Sequence, residues 1–163
     1  MRRERARALT GRFPAKDAST ISPDGMSVAF ARLDQGKSDI YVQRIGGRNP
    51  IVIAGDPARA EAAPAFSPDS AWIAFHERGS GSIFIAGATG ESARRVTDFG
   101  FHPAWSPDGQ QLVFCTEEIT SPAGRSSTAA LWVVDAKGGT PRKILDGDAV
   151  EPSWSPSGAR IAY

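Results

Sequence analysis

Apolar residues in this chain come in short runs with polar residues between them, and turn-forming residues cut the runs apart. SDIYVQ (Ser38 to Gln43), GSIFIA (Gly81 to Ala86), QLVFCTE (Gln111 to Glu117) and ALWVVD (Ala130 to Asp135) are examples. They are rich in β-branched and aromatic side chains, and no long stretch repeats its apolar residues every 3.6 positions. The pattern therefore predicts strands rather than helices. One ten-residue unit recurs: ISPDGMSVAF (Ile21 to Phe30), FSPDSAWIAF (Phe66 to Phe75), WSPDGQQLVF (Trp105 to Phe114) and WSPSGARIAY (Trp154 to Tyr163). Its serines, Ser22, Ser67, Ser106 and Ser155, are separated by 45, 39 and 49 residues. A period in that range belongs to repeat architectures, whose units bury their apolar faces against one another.

The third unit shows the layout most clearly. HPAWS (His102 to Ser106) reads as a short strand, SPDG as a tight turn, and Gln111 to Glu117 as a second strand. AALWVVD (Ala129 to Asp135) is a third strand, AKGG turns, and TPRKIL (Thr140 to Leu145) is a fourth. Four antiparallel strands per repeat is the plan of a propeller blade. Pro107 presets φ for a type I turn, Asp108 suits the next position, and Gly109 accepts the left-handed conformation that follows. Ser70 stands where the other repeats carry Gly25, Gly109 and Gly158. A left-handed backbone there costs about 1 kcal/mol and reads as a tolerated blemish. The recurring aromatics, Phe30, Phe66, Phe75, Trp105, Phe114, Trp132 and Trp154, read as packing between blades.

Pro64-Ala-Phe-Ser-Pro-Asp and Pro103-Ala-Trp-Ser-Pro-Asp-Gly, each followed by an Ile-Ala-Phe-like strand, resemble the TolB-type, WD-like β-propeller repeat. Glu151-Pro-Ser-Trp-Ser-Pro-Ser-Gly matches with Ser157 for Asp, and the first repeat departs at Ser19, where the others have Pro. The resemblance implies an all-β, partial β-propeller with four-stranded antiparallel blades. Its expected divisions are an outer strand of a preceding blade over 1–13, blades over 14–55, 56–98 and 99–146, and the first two strands of a further blade over 147–163. On this layout the sequence reads as a fragment of a longer protein. The alternatives are closure through one shared blade, or a homodimer through open blade edges.

Nineteen basic and eighteen acidic residues give a net charge of +1, which calls for neither nucleic acid nor an anionic membrane. No run of some eighteen apolar residues exists to insert in a membrane. The basic start, MRRERARALTGRF, lacks the apolar core of a signal peptide. The single Cys115 allows no internal disulfide. Arg94, Arg95, Arg142 and Lys143 fall on predicted outer strands, where charge discourages edge pairing.

No nucleophile elbow, phosphate-binding glycine loop or zinc motif is present, so no catalytic residue, cofactor or metal is expected. His76 reads as a solvated rim residue. His102 directly precedes Pro103, where the loop enters the innermost strand, and Glu151 and Ala63 take the same place in neighbouring repeats. Asp17 and Glu61 lie within a residue or two of that level. A channel-mouth ring of Asp17, Glu61, His102 and Glu151 is the candidate ligand site, suited to a basic peptide or a cation.

The resemblance implies a non-catalytic module with protein or peptide partners, often in the bacterial cell envelope, hence outside the cytoplasm. Ala88 to Gly109 is especially similar to propeller regions attached to bacterial Ser/Thr kinases or transcriptional regulators. The alternative is the gating propeller of a prolyl-oligopeptidase-like serine peptidase, with catalysis in a separate domain.

Overall fold

The computed structural model describes residues 16–34, 36–56, 58–91, 93–118 and 128–163. The expected outer strand over 1–13 lies outside them. Every element is a strand, as the period-two pattern requires. β1 (Lys16–Ile21), β2 (Ser27–Asp34), β3 (Lys37–Arg44) and β4 (Ile51–Ala54) form the first antiparallel sheet in chain order. β5 (Glu61–Phe66), β6 (Trp72–Glu77), β7 (Ile83–Gly87) and β8 (Arg94–Thr97) form the second. β9 (Phe101–Trp105), β10 (Gln111–Cys115), β11 (Leu131–Asp135) and β12 (Arg142–Leu145) form the third. β13 (Ser153–Trp154) pairs with β14 (Ile161–Ala162). The first strands β1, β5, β9 and β13 adjoin in succession, so the sheets radiate from one side as blades of a partial β-propeller. Among the described residues no helix is long and apolar enough to cross a membrane.

The Ser-Pro turns hold each first hairpin by a repeated three-point arrangement. Ser106 Oγ donates to Asp108 Oδ1 at 2.6 Å and accepts the Gln111 amide at 2.9 Å. Asp108 Oδ1 also accepts the Gln110 amide at 3.0 Å. Ser22 with Asp24 and Ser67 with Asp69 repeat this, each with a hydroxyl–carboxylate distance of 2.5 Å. These bonds hold the Asp24, Asp69 and Asp108 carboxyls below the usual carboxylate range. In the fourth turn Ser157 replaces the carboxylate, and Ser155 Oγ still accepts the Arg160 amide at 3.0 Å. Ser70 is left-handed, with φ 63°. Its hydroxyl accepts the Asp24 amide of the neighbouring turn at 3.2 Å, a bond between blades that no glycine could make.

Alternation along each strand sends one set of side chains to each neighbouring blade. Ile73, Phe75 and Phe84 meet Ala29, Ala31, Ile40, Val42 and Ile53 between the first two sheets. Ala74, Ile83 and Ile85 meet Leu112, Phe114 and Val134 between the next two. Cys115, Leu131 and Ala149 pack with Ile161 beyond them. Phe30, Phe75 and Phe114 occupy one register and are all buried; each contributes about 2–3 kcal/mol of apolar burial. Arg94, Arg95, Arg142 and Lys143 are exposed on β8 and β12.

A bulge opens the innermost strand of each of the three four-stranded sheets. The pairing slips by one residue between Lys16 and Ser19 in β1, Ala62 and Ala65 in β5, and Phe101 and Ala104 in β9. At the position before proline, Ala63, His102 and Glu151 are left-handed, with φ of 48°, 52° and 49°. That conformation costs about 1–2 kcal/mol for a residue with a Cβ. Because Ala63 shares it, the bulge is a device of the fold that bends the inner strand. What changes from blade to blade is the side chain it carries: a methyl, an imidazole, a carboxylate.

Candidate functional site

Antiparallel pairing puts the starts of β5 and β9 and the ends of β6 and β10 on one face, the mouth face. The Ser-Pro turns lie on the opposite face, the turn face. Two charged clusters occupy successive blade junctions of the mouth face.

The first lies between the first and second sheets. Glu61 opens β5 and is only 2% exposed. Ser38 Oγ donates to its carbonyl at 2.7 Å, tying β3 to β5. Lys37 and Asp39, alternate residues of β3, form an ion pair at 2.8 Å beside it. Glu61 Oε2 has no hydrogen-bond partner among the described residues. Burial, and then the Asp39 charge, push the Glu61 carboxyl up to about 7, with Lys37 opposing.

The second cluster lies between the second and third sheets. His76, expected at a solvated rim, is 1% exposed. The register explains the correction: His76 follows Phe75 as Ala31 follows Phe30 and Cys115 follows Phe114, and all three are core positions. On β6 it shares the side of Ala74, which faces the third sheet. Its Nδ1 accepts the His102 amide at 3.2 Å, so the buried imidazole holds the bulge of the next blade. Its ring meets Phe101 edge-on, with centroids 5.2 Å apart. Glu118 Oε1 lies 3.5 Å from His76 Nε2 and 2.8 Å from Arg78 Nη1. The His76 ring first, then the Arg78 and His102 charges, hold the Glu118 carboxyl below its ordinary range. The two imidazole centroids are 5.2 Å apart. Burial, and then His76, lower the His102 pKa, against the charges of Glu151 and Glu118.

The four sequence candidates are therefore distributed. His102 lies in the second cluster, with Glu151, exposed at the matching left-handed position before β13, close enough to act on its charge. Glu61 lies one junction away, with Lys37 and Asp39. The Asp17 backbone is in β1, and its side chain lies outside the described residues. Sequence reasoning passed over Lys37, Asp39, Arg78 and Glu118. Alternation marks Lys37 and Asp39 as sharing one side of β3; nothing in the local sequence joins Glu118 to a histidine 42 residues earlier.

These clusters offer hydrogen bonds and paired charges rather than a nucleophile. The Cys115 thiol is buried, its pKa raised first by that burial, and it faces the carbonyls of Phe101 and Glu117. Among the described residues no three His, Cys, Asp or Glu side chains are grouped to hold a metal ion.

The fold has known counterparts. The chain is 28% identical over 155 residues to an uncharacterized protein of Agrobacterium fabrum, covering 87% of this chain and 52% of the relative. It is 35% identical over 68 residues to the Tol-Pal system protein TolB of Pelagibacter ubique, covering 41% and 15% of the two. The chain thus spans about half the length of the first relative and less of the second. The crystal structure of TolB from Acinetobacter baumannii superposes with a TM-score of 0.72 at 23% identity, over 93% of this chain and 38% of that one. A puromycin-hydrolyzing peptidase of Mycobacterium tuberculosis superposes with a TM-score of 0.66 at 17% identity, over 90% and 25%, a likeness of fold alone. The model of the TolB beta propeller domain matches residues 4–118, so this chain belongs to the TolB beta-propeller family.

Proposed function

We propose that this chain is a non-catalytic recognition module that binds a protein or peptide segment across its mouth face. The observation that carries the reading is the pair of charged clusters at successive blade junctions of one face. Lys37, Asp39 and Glu61 stand at one, and Arg78, Glu118 and His102 at the next. Both are held on strand ends and bulges of a packed scaffold, which preorganises a recognition surface. The mixture of signs suits a segment carrying both donors and acidic groups. Membership in a family that includes a Tol-Pal system protein supports a protein partner. A role beside a kinase or transcriptional regulator is supported only by the sequence similarity of residues 88–109. A gating role for a serine peptidase gains no support from either cluster.

The test is selection of binding peptides from a random display library on the immobilised chain. Their affinities are then measured for Arg78→Ala, Glu118→Gln and, as a control on the outer strand, Arg142→Ala. Loss of about tenfold or more, near 1.4 kcal/mol, in the first two with the control unchanged is expected. Binders indifferent to both mouth-face substitutions overturn the reading.

A further inference from the structure

The turn face carries a cleft of about 330 Å³ between the second and third sheets. Trp72, Pro68 and Ile85 supply its apolar wall, and Asp69 and Asp108 stand at the lip formed by the Ser-Pro turns. The repeats let each residue be compared with its counterparts. Trp72 precedes Ile73 as Ser27 precedes Val28, Gln111 precedes Leu112 and Arg160 precedes Ile161. The other three residues are all polar. A side chain needed for packing recurs, as Phe30, Phe75 and Phe114 do. Trp72 does not recur, and it is 43% exposed. It shares the side of β6 that carries Ala74 toward the third sheet, and the residue opposite it on β7 is Gly87. An indole therefore stands in the cleft with nothing in the repeat pattern to require it there.

The carboxylates are fixed in a way that leaves them able to bind. Asp69 Oδ1 accepts Ser67 Oγ and the Ala71 amide, and Asp108 Oδ1 accepts Ser106 Oγ and the Gln110 amide. Oδ2 of each takes part in none of these bonds, and the same bonds favour the ionised form. Arg94 also lines the cleft, and its Nη2 is engaged, donating to the Ala136 carbonyl at 2.5 Å. Lys137 stands on the other side of the cleft, on the loop between β11 and β12. The cleft thus offers an aromatic face, two carboxylates on its Ser-Pro turns and two cations, Arg94 and Lys137, from the outer strands and their loop.

The geometry points to a subsite for an arginine side chain of an extended peptide. The methylene stem lies along Trp72 and Pro68, and the guanidinium stacks on the indole and bonds the free carboxylate oxygens. Arginine fits better than lysine because a planar fork can stack and bond in the same pose. Repulsion from Arg94 and Lys137 directs the head to the carboxylates of the inner turns. The junction of the first and second sheets is an internal control: it has Asp24 and Asp69 but Ser27 in place of the indole. This inference rests on the reading of the chain as a peptide-binding module, and it lies on the opposite face.

The test uses the chain labelled with ¹⁵N, whose four tryptophans give four indole resonances. The probe is an end-blocked peptide Gly-Gly-Arg-Gly-Gly, with citrulline in place of arginine as the neutral control. A saturable shift of the Trp72 resonance is expected, with Kd on the order of millimolar and at least about fivefold weaker binding of the citrulline peptide. Trp72→Ser, which copies the residue of the first repeat, is expected to abolish binding while leaving the other three resonances in place. Asp69→Asn and Asp108→Asn should each weaken it about three- to tenfold. A Trp72 resonance that does not move, or one that answers both peptides equally, overturns the subsite. Display-selected peptides sensitive to Arg78 and Glu118 beside a silent Trp72 would overturn this inference and leave the mouth-face reading standing.

Discussion

Replacing Glu61 by glutamine should stabilise the protein at alkaline pH and do little at acid pH. The folded carboxyl is pushed up to about 7 from an ordinary 4.5, by burial first and by Asp39 second. Between those values the native state holds a proton that the unfolded chain has released. Stability therefore falls as pH rises from 4.5 to about 7, and the penalty is complete above the folded value. A shift of that size at about 1.4 kcal/mol per pH unit sets a ceiling of roughly 3 kcal/mol. The Asp39 side chain is 19% exposed at the rim of the junction, and solvent there screens its repulsion of Glu61. We expect about 1–2 kcal/mol to survive that screening. Glutamine keeps the volume and removes the charge. Urea unfolding of both proteins at pH 5, 6, 7 and 8, followed by tryptophan fluorescence, gives the difference directly. Glu61→Gln should match the parent at pH 5 and exceed it by about 1–2 kcal/mol at pH 8. A variant less stable than the parent at pH 8, or a difference that does not change with pH, would refute the reasoning.

Two further substitutions test how the blades are held. Ser106→Ala removes a buried hydroxyl that donates to Asp108 and accepts the Gln111 amide, and should lower the urea-derived stability by about 1–3 kcal/mol. His76→Ala opens a cavity and leaves the His102 amide without this acceptor, an expected loss of about 2–4 kcal/mol. His76→Cys, which copies the Cys115 position of the next blade, should lose less in the same unfolding assay, because a sulfur can still accept.

The sequence alone determined the blades. Their strands follow from alternation, and their first turns from bonds that span at most five residues, as between Ser106, Asp108 and Gln111. Chemistry that local can be read letter by letter, and its repetition names the family. Trp72 departs from the repeat, but the sequence reading passed over it, and only the cleft beside it gives the departure a use. The mouth face was decided by tertiary structure. His76 carries a rim residue's polarity, but the register of β6 turns it into the blade junction, where the His102 bulge offers an amide. Its neighbour Glu118 arrives from the far end of β10, and Glu61 meets Lys37 and Asp39 only because the second sheet packs on the first. Such clusters depend on how one blade is set against the next. That setting comes from the summed packing of the cores at each junction, which no single stretch of sequence contains.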